Sequence, residues 1–483
     1  MPEPVKRNQR YMPGLDGLRA IAVLAVIVFH LGFDWAPGGL LGVGIFFTLS
    51  GYLITDILLS QLSARGRINL GQFWLARARR LLPALFVMLA IVVAWVTIFG
   101  PAQPDQFRKA VVSAVFYVNN WEQIFADVSY FARFAPEGPL NHLWSLSVEE
   151  QFYILWPFLL LAGVKLVHEH PLPSGVRPRL AVITLIGALV SSILMVIIYK
   201  PSLDPSRVYY GTDTRAAGLL FGAALAMVWP SRKLNRRITP QARNTLDALG
   251  VVGLVVIALM IWRTTELSPF LYRGGFVILS LATVAVLMPL THPACRLGVW
   301  LGVRPMRWIG ARSYGMYLWQ TPVIVLTSPA GKHTDSMLGK AAQAAAIFAI
   351  SAVSWRFIEE PIRHGAIGRF FARRRTVGWK WETFAPPMRV AIVAGGLVLV
   401  VATAGMAGLN SSSAEGNDVR VEQARAKGTS KPPPLTKAQA EDSTKSSCKA
   451  VIHIGDSTSE GLDDAAYLPI EAQRIPARYA EVG

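Results

Sequence analysis

Repeated apolar runs constrain this sequence more strongly than any other feature. Runs of about 17 to 22 residues recur along the chain, and each is long enough to cross a hydrocarbon core about 30 Å thick as a helix. Hydrophobic residues make up 52% of the chain and charged residues only 16%, whereas about a quarter of a soluble domain is charged. The sequence therefore predicts an all-α integral membrane protein. It excludes a soluble enzyme, a disordered chain and a disulfide-stapled secreted domain.

The basic residues are the second constraint. The formal net charge is +18, which first suggests a nucleic-acid partner. Nucleic-acid binding requires basic residues gathered on one folded face, but here they are dispersed in short loops between the apolar runs. That dispersal is how a membrane protein is oriented, so no nucleic-acid partner is expected.

About 11 transmembrane helices are predicted. They cover roughly residues 16–33, 39–60, 81–99, 141–164, 180–198, 211–229, 246–262, 272–290, 312–328, 339–358 and 389–408. With the N-terminus in the cytosol, the inner segments carry 27 Lys and Arg and the outer loops carry 8. The positive-inside rule therefore predicts a cytosolic N-terminus and an extracytoplasmic C-terminus. Cys295 and Cys448 would lie on opposite sides of the membrane and could not pair. No cleavage site follows the first run, so no cleaved signal peptide is expected.

Four parts of the chain are predicted. They are a membrane core at 1–365, a cytosolic loop with an extra span at 366–408, a linker at 409–447 and a short terminal segment at 448–483. The linker has too little apolar surface to fold, so we expect a disordered extracytoplasmic tether. Within the core, the segment 101–140 is too polar to span and is predicted to lie as helix and loop on the outer surface.

Ionisable side chains inside a predicted span mark candidate sites because each costs about 2.5–3.5 kcal/mol or more in a bilayer. The first span contains Arg19 and His30. Eleven residues are almost three helical turns, so the two side chains share one face and lie about 16 Å apart along the axis. Arg19 would lie near the cytosol and His30 near the outer leaflet.

The fourth predicted span carries a polar stripe at roughly the depth of His30. Its members are His142, Ser145, Glu149 and Tyr153, with Glu150 adjacent, and their spacing places the first four on one helix face. The sixth span enters from the same side through Asp213 and Arg215, a potential ion pair. Glu149 or Glu150 is a candidate to orient the His30 imidazole or to pair with Arg215, and the sequence leaves that choice open.

A second group is predicted near the cytosolic surface. Its members come from three segments: Arg77, Arg79 and Arg80; Ser313, Tyr314 and Tyr317; and Glu359, Glu360 and Arg363. A polar path between the two groups would let an anionic cytosolic donor reach an acceptor outside. Structural interpretations of these residues stay open as well. The arginines could serve only as positive-inside or snorkelling anchors, and His142 could be a hydrated residue at the membrane interface. No metal site is predicted.

Several separated motifs resemble those of the acyltransferase-3 family of bacterial membrane O-acyltransferases, over about residues 10–365. They are Arg19 with His30, Gly44 to Ser50 (GIFFTLS), Arg77 to Pro83 (RARRLLP), His142 to Tyr153 (HLWSLSVEEQFY), and Ser313 to Gln320 (SYGMYLWQ) with Phe357 to Pro361 (FIEEP). Family members commonly have His where this chain has Gln320, so a base at that position is lost.

The terminal segment resembles the start of an SGNH-type extracytoplasmic domain, with Asp456 and Ser457 in the position of its nucleophile block. No histidine follows Ser457 in the sequence, so the triad is incomplete and the fragment is not expected to be catalytic as given. A chain that continues further and a vestigial domain are both compatible with this pattern.

The resemblance implies an enzyme of the bacterial plasma membrane that moves an acyl group, often acetyl, from cytosolic acyl-CoA to a hydroxyl of an envelope saccharide or glycolipid. His30 would be the general base, with Glu149 and Glu150 also catalytic. Arg19, Arg77, Arg80, Ser313, Tyr314 and Tyr317 would bind the donor, and His142, Ser145, Tyr153, Asp213 and Arg215 would face the acceptor. Acyl-CoA is expected as a substrate rather than a bound cofactor, and membrane lipids as further partners.

Two other functions fit parts of the pattern. A transporter or flippase of a lipid-linked or sugar substrate would also carry charges within its spans. No inverted repeat or pair of broken helices supports it. A membrane anchor for the terminal segment is a weaker alternative because that segment is incomplete.

Overall fold

The computed structural model describes residues 11–99, 104–126, 128–131, 138–167, 176–201, 203–328, 336–379, 381 and 384–408. Within these ranges the chain forms 17 α-helices and no strand. The predicted all-α class is therefore confirmed for the described part of the chain. The linker at 409–447 and the segment at 448–483, with Asp456 and Ser457, lie outside it.

The helices are numbered in chain order. The long ones are α1 (Pro13–His30), α2 (Gly42–Arg65), α3 (Leu70–Phe99), α6 (Trp144–Val167), α7 (Pro178–Ile198), α9 (Thr212–Val228), α10 (Pro240–Arg263), α11 (Phe276–Thr291), α13 (Arg304–Thr327), α14 (Met337–Ser354) and α17 (Pro386–Met406). The short ones are α4 (Pro104–Val115), α5 (Asn119–Phe125), α8 (Ser206–Tyr210), α12 (Leu297–Leu301), α15 (Glu360–Arg363) and α16 (Ala366–Val377).

Nine helical segments of the described chain are long and apolar enough to cross a membrane, and all nine coincide with predicted spans. The other two predicted spans correspond to α9, which has only 17 residues, and to α13, whose first half carries Arg304, Arg307 and Arg312. The chain is thus a multi-pass membrane protein. Its count of eleven crossings and its orientation stay predictions.

Local sequence explains where several helices begin and end. α1 begins at Pro13, whose fixed φ and missing N–H suit the first turn of a helix. α2 ends at Arg65 and is capped by Gly66, whose φ of 65° lies in the left-handed region and whose N–H donates to the carbonyl of Leu62. α14 begins after Ser336, whose hydroxyl accepts from the N–H of Gly339 at 3.4 Å.

Glycines allow the central helices to approach closely. Gly51 of α2 and Gly222 of α9 face each other's helices, and a Cβ at either position would lie within 2 Å of a backbone oxygen, of Leu219 and Thr48 respectively. Small residues of this kind let membrane helices pack backbone to backbone. In the most apolar stretch of the helical segment that contains α2, 78% is buried inside the bundle, whereas in that of α17 only 6% is buried. α2 therefore lies at the centre of the bundle and α17 at its edge.

Further contacts join the remaining helices around this centre. α1 packs along α13, α7 along α9, α10 along α11, and α3 along α17. In addition, α6 contacts α2 and α3, and α3 contacts α13, and most of the predicted site residues lie on these helices and on α1.

The segment at 101–140 differs in part from its predicted surface position. Phe125 is 81% exposed, as expected, but Asn119 and Asn120 are fully buried. The Asn120 amide donates to the carbonyl of Tyr210 at 3.1 Å and to the hydroxyl of Thr212 at 3.0 Å. α5 therefore docks through polar side chains onto the start of α9, because those buried amides find partners there.

Candidate active site

Two buried histidines lie close enough to interact electrostatically. His30 ends α1, and its Nδ1 lies 2.9 Å from the carbonyl oxygen of Val26. A carbonyl oxygen only accepts, so Nδ1 must carry the proton and donate. Nε2 then bears the lone pair and has no hydrogen-bond partner among the described residues. This nitrogen is available to accept a proton from a substrate.

His142 has the opposite arrangement. Its Nε2 donates to the carbonyl of Leu318 on α13 at 3.1 Å, and its buried Nδ1 has no hydrogen-bond partner in the described part of the chain. A buried polar atom without a partner is costly. Each imidazole is thus fixed by one backbone carbonyl and presents an unpartnered nitrogen. The His30 contact is local to α1, whereas the His142 contact joins α13 and could not be predicted from the sequence pattern.

Tyr317 lies with His142 rather than with the predicted donor-binding group. Its hydroxyl donates to the carbonyl of His142 at 2.9 Å and is hydrogen-bonded to the hydroxyl of Ser145. The rings of His142 and Tyr317 are 5.6 Å apart. Tyr317 therefore belongs geometrically to the predicted acceptor side, because the α13 helix turns this residue toward the start of α6.

The predicted donor-binding arginines do come together. Arg80 interacts electrostatically with Arg19, Arg77 and Arg363. Arg19 is held by a 3.1 Å ion pair with Asp16, and the Arg77 guanidinium lies 4.5 Å from the centroid of the Tyr153 ring. Four cations from α1, α3 and α15 therefore share one region. The sequence places Arg363 in the cytosolic group, whereas it does not single out Asp16.

Glu149 and Glu150 lie with these arginines and not with the imidazole. Glu149 accepts hydrogen bonds from the hydroxyls of Ser50 and Tyr153, and these two hydroxyls lie 3.1 Å apart. Glu150 interacts electrostatically with Arg77 and with Arg80. Neither glutamate has a hydrogen bond to His30 or to Arg215 in the described structure. The role of either glutamate in orienting the imidazole or pairing with Arg215 therefore stays a prediction that no described contact supports.

The remaining predicted donor residues, Ser313 and Tyr314, lie near the middle of α13. Tyr314 donates to the carbonyl of Leu81 on α3 at 2.8 Å and interacts electrostatically with Glu150 and Glu359. Ser313 is buried beside it. Both residues therefore connect α13 with the region of the arginines and glutamates.

Asp213 and Arg215 do not form the predicted ion pair. Asp213 pairs with Arg207 at 2.8 Å, whereas the Arg215 guanidinium lies 3.8 Å from the ring centroid of Phe276. Residues two apart on a helix point in nearly opposite directions, about 200° around the axis. Arg215 is consequently turned into an aromatic pocket away from Asp213.

The described structure defines a polytopic helical membrane protein with a polar, enzyme-like site between its helices. An arginine and glutamate cluster occupies one part of this site, and two imidazoles with unpartnered nitrogens occupy another. The chain belongs to the acyltransferase family, because that family's acyltransferase-domain model matches residues 12–358. The membership predicted from the separated motifs is confirmed, and the match does not extend to the SGNH-like segment.

Several curated proteins are similar to this chain. The peptidoglycan O-acetyltransferase OatA of Listeria monocytogenes is 42% identical over 85% of this chain and 65% of its own length. The putative peptidoglycan O-acetyltransferase YrhL of Bacillus subtilis is 41% identical over 83% and 63% of the two chains. The O-acetyltransferase OatA of Staphylococcus aureus is 39% identical over 74% and 58%. The chain therefore spans about three-fifths of the length of these relatives. No solved structure matches it.

Proposed function

We propose that this protein is a membrane O-acetyltransferase that moves an acetyl group from cytosolic acetyl-CoA to a hydroxyl of a cell-envelope sugar, with peptidoglycan as the acceptor. Membership of the acyltransferase family supports the reaction type. The names of the Listeria and Bacillus relatives support the acceptor. The donor rests on the chemistry of the site.

The observation that carries the proposal is the unpartnered Nε2 of His30. A neutral imidazole is a suitable general base because its ordinary pKa lies near physiological pH. In the proposed reaction Nε2 takes the proton of the acceptor hydroxyl as its oxygen attacks the thioester carbonyl. A carbon–oxygen bond forms, the carbon–sulfur bond breaks, and the CoA thiolate leaves with a proton from the imidazolium. The ester then remains on the sugar.

The arginine cluster gives a reason for a CoA donor. Coenzyme A carries several phosphate charges, and guanidinium groups stay charged and bind phosphate oxygens in a fork. Arg19 and His30 share one face of α1 and lie about 16 Å apart along the helix axis. A pantetheine arm anchored by its phosphates near Arg19, Arg77 and Arg80 would reach His30 over that distance.

The other predicted residues have proposed supporting roles. Glu149, which accepts hydrogen bonds from Ser50 and Tyr153, would fix the position of those hydroxyls beneath the Arg77 guanidinium. Glu150 would balance the charge of the arginines when the donor is absent. His142, with its unpartnered Nδ1, and Ser145 would hydrogen-bond the acceptor sugar.

The decisive experiment compares His30→Ala with a matched histidine variant. Detergent-purified protein is given acetyl-CoA and soluble peptidoglycan fragments, and the free CoA thiol and the sugar ester are measured. His30→Ala should lower turnover by at least about 100-fold because a general base contributes about 10²–10⁴-fold. His364→Ala changes an exposed histidine and should keep wild-type turnover.

Two results would contradict the proposal. Undiminished turnover by folded His30→Ala would remove this residue from the mechanism. Release of CoA by wild-type protein at the same rate with and without peptidoglycan fragments would exclude them as the acceptor.

A further inference from the structure

A lipid-facing cleft lies beside the acyl-transfer site, between α7, α9 and the start of α11. Its volume is about 250 Å³. Ile193, Val196 and Ile197 line one wall and are also substantially exposed on the bundle surface. In a membrane protein such exposed apolar residues face lipid, so the cleft opens toward the hydrocarbon region of the bilayer.

A buried cation forms the inner end of this cleft. Arg215 lines it and is 4% exposed, and its Nε and Nη2 have no hydrogen-bond partner within the described chain. The position that a Cβ of Gly44 would occupy lies 3.9 Å from Nη2, and Gly44 also lines the cleft. Nη2 is itself buried, and because Gly44 has no side chain, no Cβ stands between this donor and the cleft wall.

Aromatic rings accompany Arg215 but do not neutralise it. Its guanidinium lies 3.8 Å from the ring centroid of Phe276 and 5.2 Å from that of Tyr209. The rings of Phe47 and Trp144 lie 5.5 and 6.0 Å away, and all four contacts leave the guanidinium charged. Nε and Nη2 of Arg215 therefore have no anionic partner among the described residues.

A second cation lies at the opening of the cleft. The segment Leu271–Gly275 is π-helical, and Gly274 has a φ of 146° that breaks the helix. This break leaves Arg273 exposed on the cleft lining, with no ion-pair partner among the described residues. None of the residues that line the cleft is acidic. The cleft is thus apolar along its walls and cationic at both ends.

We propose that this cleft binds an anionic glycerophospholipid, with the phosphate between Arg273 and Arg215 and an acyl chain along the α7 wall. Guanidinium groups bind phosphate oxygens through paired hydrogen bonds. The lipid-facing walls select a phosphate carried on an apolar chain over a free phosphate ion. The proposal concerns lipid binding, which can be measured without the acetyl-transfer reaction.

Lipid binding is measured by native mass spectrometry of the detergent-purified full chain. Phosphatidylglycerol and the zwitterionic phosphatidylcholine, with the same acyl chains, are titrated separately onto wild type, Arg215→Gln, Arg273→Gln and Arg263→Gln. Arg263 is an exposed arginine that does not line the cleft, so its variant controls for the loss of one surface charge. Size-exclusion profiles report folding.

Wild type should bind the first phosphatidylglycerol about tenfold more tightly than phosphatidylcholine, because the choline ammonium of the second lipid offsets its phosphate charge and is repelled by the two guanidinium groups. Arg215→Gln should abolish that preference, Arg273→Gln should reduce it, and Arg263→Gln should retain it. Equal binding of the two lipids by wild type would overturn the proposal, and so would an unchanged preference in folded Arg215→Gln. If Arg215→Gln does not fold, an unchanged preference in Arg273→Gln overturns it instead.

Discussion

At the scale of single residues, three neighbouring arginines of α3 differ in their surroundings. Arg77 and Arg80 are half-buried and Arg79 is exposed. Arg77 packs on the Tyr153 ring, and Arg80 interacts with three further arginines. If the cluster binds the phosphates of CoA, removing the side chain of Arg77 or Arg80 should weaken donor binding, and removing that of Arg79 should not.

Arg80→Ala should raise the KM for acetyl-CoA by about tenfold, because the loss of one charged hydrogen bond costs about 1.5–3 kcal/mol. The kcat should change much less. In wild type the KM should rise with salt, since screening weakens phosphate contacts, and the slope should be shallower in the variant. Initial rates at several acetyl-CoA and salt concentrations provide the measurement.

Arg79→Ala is the matched control and should keep the wild-type KM. An equal rise in KM for Arg79→Ala and Arg80→Ala would mean that the arginines act only through the general positive charge of the membrane surface. That result would restore their interpretation as topology anchors.

The sequence predicted which residue types matter but not the hydrogen bonds they make. Arg19, Arg77 and Arg80 were grouped correctly because topology alone places them at one end of the bundle. The partners of Glu149, Arg215 and Tyr317 depend on which helices are neighbours and how each is rotated. Those rotations are set by tertiary packing, such as the close contact of α2 with α9, and no span read alone contains them.

At the scale of helices, the α2–α9 contact supports the centre of the bundle. A Cβ added to Gly222 would lie 1.9 Å from the carbonyl oxygen of Thr48, so Gly222→Ala must push the two helices apart. Overpacking of this kind costs about 1–3 kcal/mol. We expect a lower midpoint of thermal unfolding in detergent and reduced transferase activity, because Ser50 on α2 hydrogen-bonds Glu149 on α6.

Gly396→Ala on α17 is the control for this prediction. A Cβ there meets no atom within 4 Å, and alanine favours a helix over glycine by about 1 kcal/mol. Its unfolding midpoint should equal or exceed that of wild type. A Gly222→Ala protein as stable as Gly396→Ala would show that α2 and α9 are not in close contact.

Helix positions were predicted better than helix lengths. The apolar run at 81–99 marks only the second part of α3, which begins at Leu70, and the run at 312–328 marks the later part of α13, which begins at Arg304. Hydropathy detects the residues suited to hydrocarbon, whereas a helix continues for as long as its backbone hydrogen bonds are favourable. The docked position of α5 was missed because its buried amides resemble a surface segment in composition.

At the scale of the whole molecule, the orientation of the bundle decides which end of the site meets the cytosol. The native cysteine of the described chain is a poor probe of it. Cys295 is buried, and desolvation together with the nearby Asp247 carboxylate raises the pKa of its thiol to about 11. Near pH 7 this thiol is almost wholly protonated and unreactive, so it escapes labelling on either side of the membrane.

The two ends of α10 provide a sharper test. Gln241 and Thr265 are both exposed and lie at opposite ends of this 24-residue helix, which at about 1.5 Å per residue is long enough to separate the two membrane surfaces. With Cys295 replaced by Ser and Cys448 by Ser, we expect a membrane-impermeant maleimide to label Thr265→Cys in intact cells. Gln241→Cys should be labelled only after the cells are permeabilised. The reverse pattern would place the arginine cluster outside the cytosol, and acetyl-CoA could then not be the donor.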